Sequence, residues 1–243
     1  MSDDIIKKLY DKYFKNWLKK YYKYILTILL YLMYQSNFLI ALFEVLGINI
    51  LKLAHNYKMI ILYINDIIYI LTLVYLFKED IKNGIKSLKN NFYNILRLSL
   101  SCWAIGIIVM GISTFIINLI LTKDVSNNEE LVRQSIKLAP FYMLFSCSIV
   151  APIFEEMVFR KSLNGLIKRN WLFIVVSGLG FGLLHVLGSF TNPLEFLYII
   201  PYGSMGCSFA YLLTKTNNIT LPILIHMAHN FILVTIQIIG GLK

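Results

Sequence analysis

The sequence predicts an all-α fold, a polytopic bundle of about seven to eight transmembrane helices. Hydrophobic residues make up 58% of the 243 residues and charged residues only 15%. A soluble domain is about 45–50% apolar, so this composition indicates a protein whose solvent is largely lipid. The second observation is that long apolar stretches alternate with short basic connectors along the chain.

Roughly seven apolar stretches approach the length of about 20 residues that a helix needs to cross a bilayer. They are residues 24–43, 59–77, 98–121, 138–154, 171–187, 194–214 and 219–240. We divide the chain into a basic N-terminal segment (1–23), N-terminal transmembrane helices (24–137) and a helical core (138–243). The first segment mixes lysines with aromatic and aliphatic side chains and resembles an interfacial amphipathic helix. Its lysines are Lys7, Lys8, Lys12, Lys15, Lys19, Lys20 and Lys23.

The net charge of +10 predicts the orientation of the chain. Basic connectors follow the second, fourth and sixth spans, on the same side as the N-terminus, whereas the connector at 122–137 balances its positive and negative residues. Because cytoplasmic loops carry the excess of lysine and arginine, the N-terminus is expected in the cytoplasm of a multi-pass plasma-membrane protein. The basic residues are scattered through loops, which argues against nucleic-acid binding.

The fourth span is bracketed by Pro140 and Pro152. Proline lacks a backbone donor and disturbs a helix interior, so we expect a break or kink at Pro152. A new helix beginning there would run towards Arg169, and the next helix would begin near Trp171.

Ionisable side chains inside these spans indicate a functional site. Glu155 and Glu156 are adjacent in an apolar stretch, where carboxylates are functional by default. Glu155 and His185 lie equally far before and after Asn170, so in a helical hairpin they face each other roughly 22 Å above its tip. In the last span His226 and Asn230 share one helix face.

Two further residues support this set by helical spacing. Phe181 precedes His185 by one turn and can pack beneath the imidazole, and Arg160 follows Glu156 by one turn and can form an ion pair. Such a pair would neutralise one carboxylate and leave Glu155 free to take a proton from water. A purely structural role for the Glu156–Arg160 pair remains an alternative.

Other chemistries fit the sequence poorly. A His-Glu-x-x-His zinc motif is absent, and the run Gly203-Ser204-Met205-Gly206 is better explained by close helix packing than by a serine nucleophile. His229 is one residue off the face of His226 and is expected to bond elsewhere. Asp66 and Glu44 have no partner that the sequence identifies, and a position at a span end explains them.

At these residues the chain resembles the CPBP family of CAAX proteases and bacteriocin-processing enzymes. The motifs are Glu155-Glu156-Met157-Val158-Phe159-Arg160, Phe181-Gly182-Leu183-Leu184-His185 and His226-Met227-Ala228-His229-Asn230. Each motif alone is weak, but the three occur together, in order and with ordinary spacing. The resemblance covers roughly residues 140–240.

The resemblance implies an intramembrane endopeptidase without a cofactor. Glu155 and His185 would activate water, and His226 and Asn230 would stabilise the oxyanion. The alternative within the family is a zinc metalloprotease with Glu155, His185 and His226 as ligands, which with water would complete a catalytic zinc site.

The implied substrate is a membrane-associated peptide or protein, either lipidated at a CAAX end or a leader-bearing bacteriocin or pheromone precursor. A non-catalytic bacteriocin-immunity or scaffold protein on the same fold is the alternative. Richness in Ile, Lys, Asn and Tyr indicates an AT-rich, bacterial genome. Since water must reach Glu155, we expect a hydrated cavity that opens on the cytoplasmic side, at the hairpin tip.

Overall fold

The computed structural model describes residues 10–48 and 50–241. Over these residues every regular element is helical, and six helices are long and apolar enough to cross a membrane, or seven if one bent pair forms a single span. The structure therefore confirms the all-α, polytopic bundle. Lys7 and Lys8 of the predicted N-terminal segment, and the side chain of Lys12, lie outside what is described.

The described helices follow one another along the chain with short connections. They are α1 (Asn16–Gln35), α2 (Phe38–Val45), α3 (His55–Leu76), α4 (Lys78–Asn90), α5 (Phe92–Leu121), α6 (Asn127–Leu138), α7 (Pro140–Leu166), α8 (Asn170–Leu187), α9 (Ile199–Thr216) and α10 (Thr220–Gly241). A π-helical turn (Tyr10–Lys15) precedes α1, and 3₁₀ turns occupy Ile50–Lys52 and Pro193–Tyr198. The apolar helices span the membrane, whereas α4 and α6 are the polar helices of two connectors.

The first predicted span, 24–43, is bent rather than straight. The axis turns by 59° between Tyr13–Gln35 and Phe38–Val45. Asn37 at the bend has a φ of 52°, a left-handed conformation that asparagine tolerates better than most residues. The first span therefore consists of two helical pieces.

The prediction that a new helix begins at Pro152 is wrong, because Pro140–Leu166 forms one helix. The helix α7 runs without interruption through Pro152. Val150 and Ala151 both have right-handed helical dihedral angles, with φ of −68° and −57°. The preceding stretch Ser146–Val150 is π-helical, and a second π-helical stretch covers Glu156–Ser162. In an α-helix a proline ring clashes with the carbonyl four residues earlier. In a π-helix the backbone N–H groups bond to carbonyls five residues earlier, so the helix accommodates the proline without a break.

The helices α8 and α9 approach each other closely because both present glycines. A Cβ atom at Gly182 would lie 2.5 Å from the Ile199 carbonyl oxygen, and one at Gly206 would lie 2.9 Å from the Gly178 Cα. Small residues spaced in this way let two membrane helices pack backbone to backbone. This confirms the packing role predicted for Gly203-Ser204-Met205-Gly206, and Ser204 Oγ donates to the Pro201 carbonyl at 2.7 Å.

Asp66 on α3 has partners that the sequence did not reveal. Its carboxylate accepts hydrogen bonds from the Tyr34 and Tyr142 hydroxyls, both at 3.1 Å, and its side chain is buried. Because the partners lie on α1 and α7, this bond network ties the N-terminal helices to the helix that carries Glu155. Asp66 is thus a residue of the bundle interior, and the expectation of a span-end position was wrong.

Candidate active site

Glu156 is the centre of a fully buried charge network on α7. Its side chain has no exposed surface; one carboxylate oxygen lies 3.1 Å from Arg160 Nε and the other 2.9 Å from His226 Nδ1. The predicted ion pair with Arg160 is therefore present. Each carboxylate oxygen of Glu156 thus has a different partner, and the network joins α7 to α10.

Arg160 is held by aromatic rings as well as by Glu156. Its guanidinium carbon lies 4.5 Å from the centre of the Phe181 ring and 5.7 Å from that of Phe209, and one nitrogen donates to the Gly206 carbonyl at 3.4 Å. Desolvated cation–π contacts of this kind stabilise a buried cation. The guanidinium therefore bridges α7, α8 and α9 at the base of the site.

His226 lies between the two glutamates. While its Nδ1 meets Glu156, its Nε2 is 3.7 Å from a carboxylate oxygen of Glu155. The buried Glu156 therefore orients the imidazole so that Nε2 points towards Glu155.

His185 is oriented by its own helix and by a tyrosine. Its Nδ1 lies 2.9 Å from the Phe181 carbonyl oxygen, an arrangement in which Nδ1 donates and Nε2 remains unprotonated. The imidazole packs on Phe181 with ring centres 4.5 Å apart, as the spacing predicts, and stacks on Tyr202 at 4.6 Å. The ring is thus held between two aromatic faces.

Asn230 and His229 point to different neighbours. Asn230 Nδ2 donates one hydrogen bond to the Cys147 carbonyl at 2.9 Å, which leaves its second N–H. His229 accepts a hydrogen bond from Trp103 Nε1 at 3.3 Å, and its ring packs edge-on against that indole. His229 therefore bonds outside the group around His226, as its position off that face indicates.

A cavity of about 790 Å³ unites the predicted residues. Glu155, His185, His226 and Asn230 all border it. Glu155 is partly exposed there, with a side-chain exposure of 12%, whereas Glu156 and Arg160 lie behind the wall. The volume falls in the range of about 300–1,000 Å³ typical of ligand pockets. The structure thus brings together four side chains from three helices around one space.

The predicted opening of this cavity at the hairpin tip is wrong. On the side of α7 and α8 that leads to the tip, Met157 and Phe173 are fully buried and Leu213 of α9 is 3% exposed. These apolar side chains close the site towards the basic connectors. The cavity instead extends to the first turns of α6, at the opposite end of the bundle.

Tyr202 is the site residue that sequence reasoning missed. It stacks on His185, and its hydroxyl bonds Ser126 Oγ at 2.8 Å and Asn128 Nδ2 at 3.3 Å. No motif marks it, because it lies on α9 and reaches His185 and the connector before α6 only in the folded chain. Tyr202 thereby ties the orientation of His185 to that connector.

Glu155, His185 and His226 are the residues that would hold a zinc ion. Among residues 10–48 and 50–241, no three His, Cys, Asp or Glu side chains are grouped as ligands for one ion. His226 Nε2 lies 3.7 Å from Glu155, a separation that two ligands of one ion can have, and Nδ1 bonds Glu156, as the second nitrogen of a metal-bound histidine commonly bonds a carboxylate. The metal-free mechanism and the zinc alternative both stay predictions.

The segment that carries this site is similar to a known family. Residues 137–232, which contain the four cavity residues and all three motifs, match the family described as type II CAAX prenyl endopeptidase Rce1-like. The match covers less than half of the chain, and it supports the CPBP resemblance that the motifs carry. No solved structure matches the chain.

Curated relatives agree with the family match. The chain is similar to YdiL of Bacillus subtilis, named as a membrane peptidase, with 32% identity over 46% of this chain and 44% of that relative. It is similar to the membrane-embedded CAAX protease MroQ of Staphylococcus aureus, with 31% identity over 57% of this chain and 58% of MroQ. The UPF0177 protein YaiH of Lactococcus lactis is 28% identical over 61% of each chain.

The aligned part spans only about half of these curated relatives, between 44% and 61% of their length. The apolar helices and the bacterial membrane relatives together identify the chain as a multi-pass membrane protein of bacterial type.

Proposed function

We propose that the chain is an intramembrane endopeptidase that hydrolyses a peptide bond of a membrane-associated substrate, with Glu155 and His185 activating the water. The observation that carries the proposal is the contrast between two adjacent carboxylates. Glu156 is fixed by Arg160 and His226, whereas Glu155 borders the cavity. The family match over 137–232 supports a CAAX-type membrane protease because that segment holds the whole site.

The chemistry proceeds by attack of water on the scissile carbonyl. The water oxygen bonds to the carbonyl carbon while its proton passes to Glu155. His185 borders the same cavity, and its unprotonated Nε2 accepts a hydrogen bond from the water and orients it. The proton held by Glu155 then passes to the amide nitrogen as the carbon–nitrogen bond breaks.

Hydrogen-bond donors must stabilise the negative charge that develops on the carbonyl oxygen. His226, through an N–H at Nε2, and Asn230, through its second Nδ2–H, border the same cavity and supply them. Each donor of this type is worth ~10²–10³ in rate, because the site excludes water and the donors are already positioned. The Glu156 carboxylate supports this step by holding His226 in place.

The variant Glu155→Gln tests the proposal. Glutamine keeps the shape of the side chain but cannot take a proton from water, so purified protein in detergent should lose nearly all cleavage of a pooled library of quenched peptides. The matched control is Glu130→Gln, the same change on α6 at an exposed residue that bonds Gln134 and lies outside the cavity.

Both variants should keep the thermal unfolding midpoint of the unmodified protein within a few degrees, which shows that the fold persists. Cleavage by Glu155→Gln within a few-fold of the unmodified rate would contradict the assignment of Glu155. If no preparation cleaves any peptide, the non-catalytic immunity or scaffold function becomes the better explanation.

A further inference from the structure

The cavity has a second border that the catalytic residues do not explain. Apart from α5 and the core helices, it is lined by the connector before α6 and by the first turns of α6: Val125, Ser126, Asn128, Glu129, Val132 and Arg133. No residue of α4 or of the short connectors at 167–169 and 217–219 borders it within the described chain. Within the described part of the chain, the connectors that border the cavity therefore lie at one end of the bundle.

At the end of the bundle that carries α6, the connector between α5 and α6 is bonded to the connector between α8 and α9. Asn127 Nδ2 donates to the Ser189 carbonyl at 3.1 Å, and Lys123 forms an ion pair with the buried Glu195. The ends of α5, α8 and the start of α9 therefore meet at a common polar surface. Tyr202 bonds to the same surface, so the mouth of the cavity and His185 belong to one hydrogen-bonded unit.

The charge pattern assigns this end to the outside of the cell. The lysine-rich α4, with Lys78, Lys82, Lys86 and Lys89, lies at the opposite end, as does the hairpin tip with Lys168 and Arg169. The connector at 122–137 has as many acidic as basic residues. Since positive connectors stay in the cytoplasm, the mouth of the cavity lies on the non-cytoplasmic side.

The cavity also has an apolar side that faces the lipid. Phe115 on α5 and Ile236 on α10 border it and are 65% and 61% exposed. Gly111, one turn before Phe115, also borders the cavity, and a Cβ atom there would meet no other atom within 4 Å. The cavity is thus bordered by exposed apolar side chains of α5 and α10 beside the polar residues Glu129, Arg133 and Gln237, an arrangement that suits an apolar segment arriving from the bilayer between these two helices.

We propose that the substrate enters from the non-cytoplasmic leaflet, with an apolar segment passing between α5 and α10 and a polar part at the mouth beside α6. The substrate class is then an exported peptide or precursor whose apolar leader remains in the outer half of the bilayer. A protein lipidated at its C-terminus in the cytoplasm would meet the closed end of the bundle. This inference rests on the proposed function, because it takes the cavity as the place of cleavage.

The side of the opening is tested by cysteine labelling, which does not require activity. In a background with Cys102, Cys147 and Cys207 replaced by alanine, Val132→Cys places a thiol at the mouth, and Asn83→Cys places one on the exposed face of α4. In intact cells a membrane-impermeant maleimide should modify the first variant, and modify the second only after the membrane is opened. The reverse pattern overturns the proposal.

The route of the substrate is tested by obstructing the space between α5 and α10. Gly111→Trp puts a large side chain into open space beside the cavity, and Gly240→Trp makes the same change near the end of α10, at a position that is equally uncrowded but does not border the cavity. In proteoliposomes with one defined orientation, Gly111→Trp should lose most cleavage of quenched apolar peptides, while Gly240→Trp retains it.

The peptides are added either to the face that carries position 132 or to the face that carries position 83. Cleavage only from the face of position 132 supports the proposal, and cleavage only from the face of position 83 overturns it. Equal cleavage by the two tryptophan variants overturns the route between α5 and α10. Absence of cleavage from both faces overturns the proposed function and this inference with it, whereas the labelling pattern still fixes the side of the mouth.

Discussion

At the scale of the residue, two Glu–Arg pairs in this chain have the same helical spacing and opposite surroundings. Glu156 and Arg160 are completely buried, whereas Glu129 and Arg133 have side-chain exposures of 31% and 46%. Removing one partner of a buried pair leaves the other charge uncompensated and costs about 3–5 kcal/mol, whereas an exposed pair contributes about 0–1 kcal/mol. The local sequence pattern is the same, so the difference in energy comes from burial and from the contacts that only the buried pair makes, with His226, Phe181 and Phe209.

We therefore expect Arg160→Ala to lower the thermal unfolding midpoint strongly and Arg133→Ala to change it little, both measured in the same detergent. Arg160→Ala should also reduce cleavage, because Glu156 then holds His226 less firmly. The position of Arg160 behind the cavity wall indicates a structural role. An Arg160→Ala protein that is inactive but as stable as Arg133→Ala would contradict that role and would indicate that the guanidinium acts on the substrate.

At the scale of the element, the distance between α8 and α9 sets the position of His185. Gly182→Ala adds a Cβ atom 2.5 Å from the Ile199 carbonyl oxygen, so the two helices must separate. Overpacking of this kind costs about 1–3 kcal/mol. His185 lies one turn further along α8, so separation should reduce both the unfolding midpoint and the cleavage rate.

The matched control is Gly188→Ala at the end of the same helix. A Cβ atom there meets nothing within 4 Å, and the residue has a right-handed helical conformation that alanine adopts readily. Its unfolding midpoint should equal or slightly exceed that of the unmodified protein. A Gly182→Ala protein with unchanged midpoint and activity would show that the helices tolerate separation and that their contact does not position His185.

At the scale of the whole molecule, the purified protein should work without a metal ion. The expectation rests on the proposed mechanism, in which Glu155 and His185 activate the water without a Lewis acid. We expect cleavage to survive exhaustive chelation. A catalytic zinc would instead give about one equivalent per chain and an activity that chelation abolishes and added zinc restores. That outcome would recast Glu155, His185 and His226 as ligands, with Glu156 as the base.

Much of the bundle follows from local properties of the sequence. The number of spans and the positions of the polar connectors depend on hydropathy along the chain. Each membrane helix satisfies its own backbone hydrogen bonds, so it forms independently of the helices around it. The bend at Asn37 and the uninterrupted α7 were not predicted. A π-helical stretch that accommodates Pro152 has no simple sequence signature, so spacing rules for an ideal α-helix were bound to misplace the helix start.

The sequence by itself determined which side chains the site contains, since carboxylates and imidazoles in apolar spans are costly and their helical spacings show which share a face. Only the tertiary structure decided where each one lies and what it contacts. It divided the two glutamates into a paired Glu156 and a cavity-lining Glu155, and it placed Tyr202 on His185. It also closed the end of the bundle at the hairpin tip and extended the cavity to the other end. These features depend on contacts between helices distant in sequence, which no local pattern encodes.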